Sequence, residues 1–161
     1  MTTAVTVPLA EWVANLSYEA IPQQVRERAK HLLLDGVACG LVGAQLPWSR
    51  VATSATLGIE ATGDATVIGT GKTTSGPASV LLNSTYIQGF ELDDFHPLAP
   101  LHSNSLILPV LFAGAHQLGT VTGRDALTAA GAATAYRHPY VRRCCSGARR
   151  SYTYALPRSR L

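Results

Sequence analysis

Three carboxylates and two imidazoles fall within twelve residues of this chain, in Glu91-Leu-Asp-Asp-Phe-His-Pro-Leu-Ala-Pro-Leu-His102, which runs on into Ser103-Asn-Ser105. Segments rich in apolar residues flank the cluster on both sides. Carboxylates beside imidazoles in an apolar setting are the groups whose proton affinities move toward neutrality, which general acid/base catalysis requires. Glu91, Asp93, Asp94, His96 and His102 are therefore the candidates for chemistry. Two plainer readings stand beside this one. A carboxylate pair ahead of a proline loop also fits a helix end with solvated charges. Asp94, His96 and His102 would suit a divalent ion, but no other Cys or His in the acidic body lies at a ligand-like interval, so no metal is assigned. His31 and His116 fall in helical patterns and read as core-edge or surface residues.

The elements that must position this cluster are read from the apolar spacing. Leu9, Trp12, Val13 and Leu16 recur at three and four residues, the period of one helical face. After Pro22, which suits a first turn, Val25, Ala29, Leu32, Leu33, Val37 and Leu41 continue that period through Gly43 and predict a central helix. Gly36, Gly40 and Gly43 lie near one face of it, where another helix could approach closely. Residues 57–76 break the period with four glycines before Thr74, and Ala65 to Gly69 reads as one short strand. Gly69-Thr-Gly-Lys-Thr-Thr74 is not a phosphate loop, because Thr66 stands where the first glycine of Gly-x4-Gly-Lys-Ser/Thr is needed. Pro77 opens a helix to about Gly89. If that helix ran one turn further, Glu91 and Asp94 would share a face. Pro97 and Pro100 force an irregular connection that can turn His102 back toward the carboxylates. A helix from about Leu106 to Leu118 follows, and another from Arg124 to about Thr134, opened by Thr122 and Asp125 in a capping-box arrangement.

The chain is 161 residues long with 47% apolar and 14% charged residues. That is apolar for a free-standing domain and suggests surface meant for another layer of protein. No apolar run reaches the roughly 18 residues of a membrane span, and no leader pattern opens the chain, so a soluble, cytoplasmic protein is expected. Charge divides the chain in two. Residues 1–135 hold six Lys or Arg against ten Asp or Glu, a net of −4, whereas residues 136–161 hold seven Arg and no acid, a net of +7. The second segment mixes Arg with Tyr, Pro, Ser and the adjacent Cys144 and Cys145 and has no hydrophobic period, so it is expected to be a disordered tail. Neither a nucleic-acid nor a membrane-surface role is assigned to it. Three cysteines without a spaced framework argue against a disulfide scaffold.

Asn83-Ser-Thr-Tyr-Ile-Gln-Gly-Phe-Glu-Leu-Asp-Asp94, Ala99-Pro-Leu-His-Ser-Asn-Ser105 and Leu106-Ile-Leu-Pro-Val-Leu-Phe-Ala113 resemble the MmgE/PrpD family of lyases, its fungal cis-aconitate decarboxylases above all. Arg28-Ala-Lys-His-Leu-Leu-Leu-Asp-Gly-Val-Ala-Cys39, Val42-Gly-Ala44, Pro47-Trp-Ser49 and Val67-Ile-Gly69 carry the same resemblance, which spans about residues 8–130. It implies a mainly α protein, with residues 1–135 forming the N-terminal portion of a large helical domain and one short β excursion near 65–69. It further implies a homodimer, a small tricarboxylate substrate, and no metal or organic cofactor. His102 matches a histidine that lines the tricarboxylate pocket, so it ranks first as both catalytic and substrate-binding. Asp94, Asp93 and Glu91 follow as catalytic acids, and His96 as a further substrate contact. Glu91 stands where animal members have an aspartate, and the loop to the histidine is one residue longer here, so the acids are not ranked among themselves. After Ala130 the family pattern is lost, along with the other pocket residues the family would bring. The reading is a cis-aconitate decarboxylase-like lyase in truncated form, inactive alone. A methylcitrate-type dehydratase and a non-catalytic truncated isoform are its rivals.

Overall fold

The computed structural model describes residues 6–95 and 101–133, which contain six helices and one two-stranded hairpin. The first helix, α1 (Thr6–Ala14), belongs to a separate unit and ends where Asn15 turns both its backbone N–H and its side-chain amide onto the Glu11 carbonyl. The unit from Leu16 to Thr134 holds everything that positions the carboxylate–imidazole cluster.

Its central element is α2 (Gln23–Gly43). Pro22 sits just outside the helix, its carbonyl accepting from Val25 and Arg26, as expected for a residue with fixed φ and no N–H to leave unpaired. The glycine face of α2 is a packing surface. A Cβ on Gly36 would come within 2.9 Å of Leu108, one on Gly40 within 3.3 Å of Ile68, and one on Gly43 would fall on the Tyr86 carbonyl. At Gly43 two helix backbones touch, and only glycine leaves room for that.

The next helix, α3 (Pro47–Ile59), is absent from the periodicity because its buried face is polar. Ser49 and Thr53, one turn apart, point inward, and Thr53 bonds the Ser49 carbonyl and the hydroxyl of Tyr86. Beyond it stand two strands rather than one: β1 (Ala65–Val67) pairs antiparallel with β2 (Lys72–Thr74), Ala65 opposite Thr74. Gly69 and Gly71 supply the positive φ values, 71° and 67°, that the turn requires. Ser75 then caps α4 (Gly76–Gln88) by accepting from the Ala78 N–H. Asn83, fully buried on α4, receives the Ile68 N–H and donates to the Thr66 carbonyl, fastening hairpin to helix.

Leu82, Tyr86 and Ile87 of α4 form the centre of the core. Val67 and Ala44 close round Leu82 and Tyr86, while Cys39 and Leu108 close round Ile87. Each large apolar side chain removed from water in this way contributes about 1.5–3 kcal/mol before entropy is counted. Leu108 belongs to α5 (Ser103–Leu118), which includes Pro109 and packs on both α4 and α2. The last helix, α6 (Gly123–Ala133), has the expected capping box, with Asp125 N–H on Thr122 Oγ1 and Thr122 N–H on Asp125 Oδ2. Arg124 joins it to the chain before α2, pairing with Glu19 at 3.2 Å and lying over the Tyr18 ring.

The architecture is mainly α, as expected. No single helix among the described residues is long and apolar enough to cross a membrane. The basic segment 136–161 and the prolines at 97 and 100 lie outside the described residues.

Candidate active site

Helix α4 does not run on to carry the acids. It stops at Gln88, and Glu91 adopts φ 57°, a left-handed conformation uncommon for a residue with a side chain. Glu91 and Asp94 therefore do not share a helical face. The chain turns sharply instead, and the acids project from an irregular segment toward the first turn of α5.

The turn brings three of the candidates together. His102 Nδ1 lies 3.0 Å from Asp93 Oδ1, and Nε2 lies 3.7 Å from Glu91 Oε2. Exposure is graded across the group: the Asp93 side chain is fully buried, the His102 ring 19% exposed, and the Glu91 side chain 73% exposed. One acid thus holds the ring from inside and the other meets it from the solvent side. Phe95 packs against the ring, centroids 5.4 Å apart and planes tilted by 55°. Asp93 Oδ2 is buried and finds no hydrogen-bond partner among the described residues. Burial pushes the Asp93 carboxyl above the usual aspartate range, and the His102 hydrogen bond pulls it part of the way back.

Asp94 faces elsewhere. Its Oδ1 accepts the Asn104 N–H at 2.7 Å, in the first turn of α5, away from the imidazole. His96 lies outside the described residues. His31 is on α2 and His116 on the last turn of α5, so neither belongs to the cluster. Cys39, close enough for Asp93 and Asp94 to act on it, is buried, and burial first of all pushes its thiol up. The thiol is packing, not nucleophile.

The residues that set the ring's place were not singled out by the sequence. Asn104 donates its side-chain amide to the Leu32 carbonyl at 2.8 Å, tying α5 to α2. Ser105 donates toward the His102 carbonyl at 3.0 Å and Gln88 Oε1 at 3.3 Å, tying it to α4. Ser-Asn-Ser directly after a candidate histidine was the available signal, since such residues favour helix starts. Gly69-Thr-Gly-Lys72 forms the hairpin turn and does not lead into a helix N-terminus, so it lacks the geometry of a phosphate cradle.

An imidazole with one nitrogen fixed on a buried carboxylate and the other turned outward toward a second carboxylate can donate or accept a proton at a defined point. Residues 7–139 match the MmgE/PrpD N-terminal domain family. The chain is 47% identical over 131 residues to the cis-aconitate decarboxylase-like protein oryM of Aspergillus oryzae, covering 78% of this chain and 27% of that one. It is 44% identical over 132 residues to a cis-aconitate decarboxylase of Aspergillus terreus, covering 80% and 27%. The chain thus spans about a quarter of the length of these relatives.

Proposed function

The chain belongs to the MmgE/PrpD family, and on that premise we propose that it carries the imidazole–acid part of a lyase site that removes carbon dioxide from cis-aconitate or an alkyl analogue. The observation that carries the reading is the His102 ring held between Asp93 and Glu91. In decarboxylation the bond from the substrate chain to a carboxylate carbon breaks, carbon dioxide leaves, and the electron pair stays on carbon as a delocalised carbanion. A proton must then be delivered to carbon to give an itaconate-type diacid. Imidazolium His102 has its Nδ1–H on Asp93, and its Nε2–H faces outward as the proton to be given. After transfer the neutral ring keeps Nδ1–H on Asp93 and accepts the next proton at Nε2. Glu91, beside Nε2 and open to solvent, is placed to pass a proton to the ring after transfer.

Within the stretch from Glu91 to His102, the described residues supply the His102 imidazole and its acids. An intact site, a homodimer, and a cytosolic address are proposed for a complete enzyme of which residues 7–133 form a part, and the 161-residue chain alone is proposed to be inactive. The test is a chimera in which this segment replaces the matching one in the Aspergillus terreus decarboxylase. Cis-aconitate should yield the diacid and carbon dioxide in stoichiometric amounts, and the isolated chain should yield neither. A folded chimera that dehydrates a citrate-type substrate but releases no carbon dioxide would reassign the reaction. Turnover by the isolated chain near the common enzyme value of about 10 per second would remove the claim that its site is incomplete.

A further inference from the structure

Asp93 and Asp94 are neighbours in sequence, yet they end in different places. Asp93 meets the ring, and Asp94 meets the start of the helix that carries the ring. The residue at the N-cap of α5 is His102 itself, and it makes no capping bond with its side chain, which is turned to Asp93. A helix start lacks intrahelical acceptors for its first N–H groups, and an acid there also meets the positive end of the helix dipole. Asp94 Oδ1 supplies the missing acceptor at the Asn104 N–H. Asn104 and Ser105 pin the same turn to α2 and α4.

From this geometry we infer that Asp94 is a positioning residue, whose carboxylate caps α5 in place of His102 and so holds the imidazole in register with Asp93. The two acids divide the work. Because they are consecutive, fixing Asp94 on α5 also fixes the distance from Asp93 to the ring. Asp94 takes no proton from substrate and touches none. The inference draws on the proposed function only in giving His102 a role that needs a fixed ring, and its test reads the ring rather than turnover, so either can fail without the other.

The readout is the nitrogen-15 NMR spectrum of the histidine rings in the full 161-residue chain, with His102 assigned by its loss in His102→Gln. A neutral ring facing ionised Asp93 carries its proton on Nδ1, and the two ring nitrogens report that directly. In Asp94→Ala the Nδ1–H signature should weaken, with about a fivefold rise in the released ring, the effect expected when a helix cap is lost. Asp94→Asn, which keeps a capping oxygen, should retain the signature. Asp125→Ala removes the carboxylate half of the α6 capping box instead and should leave the His102 signals where they are. An unchanged ring in Asp94→Ala, or an equal loss in Asp94→Asn or in Asp125→Ala, would overturn the inference. If Asp94→Ala does not fold, Asp94→Asn decides alone, because retention supports capping and loss refutes it.

Discussion

Asp93 has one oxygen on the His102 ring and the other buried with no partner among the described residues. Burying a carboxylate disfavours its charged form, and the ring bond offsets only part of that cost. The consequence for stability has a definite sign. The folded carboxyl binds its proton more readily than the usual aspartate value of 3.8, so the stability contributed by protonated Asp93 is fully present below that pH. It is lost as pH rises through the raised folded value. Asp93→Asn removes this dependence and still offers the ring an acceptor. The unfolding free energy of Asp93→Asn relative to the unmodified chain should therefore improve from pH 3.8 upward toward neutrality, measured by urea denaturation at stepped pH. A difference that stays flat, or grows in the opposite direction, would show that His102 fully compensates the buried charge. The sequence located this cluster but could not divide its acids. The identity of each carboxylate's partner depends on a turn at Glu91 with φ 57°, and nothing in Glu-Leu-Asp-Asp announces a left-handed glutamate.

Among the elements, the contact of α2 with α4 at Gly43 and Tyr86 determines whether α4, and hence the turn that follows it, stands in the right place. A side chain at Gly43 must push one backbone off the other. Gly43→Ala should therefore destabilise the chain by at least the roughly 1–3 kcal/mol of an overpacked core. Gly114→Ala on α5, where a Cβ meets nothing within 4 Å, should leave stability unchanged or raise it by up to about 1 kcal/mol through helix propensity. Thermal melts of the two variants check the contrast, and equal melting temperatures would mean that the close approach is not maintained in solution. The glycine spacing on α2 was legible because it recurs on a helix with a clear apolar period. Helix α3 was not, because Ser49 and Thr53 occupy the positions that apolar residues would take. Strand β2 was hidden for a related reason: Lys72, Thr73 and Thr74 have no alternating apolar pattern, and only the pairing with β1 defines them.

At the scale of the whole molecule, much apolar surface remains uncovered. Leu34, Leu41 and Val42 on α2, Val51 and Ile59 on α3, and Leu106 and Val110 on α5 are all exposed. The chain spans about a quarter of the length of its relatives, and a longer protein would have further elements to lay against such faces. Apolar composition made this legible in sequence. The faces involved were not, since they depend on which sides of α2 and α5 the core consumes. The proposed role of the His102 ring is tested most directly by kcat/KM for cis-aconitate in the chimera bearing His102→Ala, set beside His116→Ala from the far end of α5. Loss of a positioned proton donor should lower the first by roughly 100-fold or more with the melting temperature preserved, while the second should fall by less than about tenfold. Equal losses in the two, or full activity in folded His102→Ala, would show that the ring is not the proton donor.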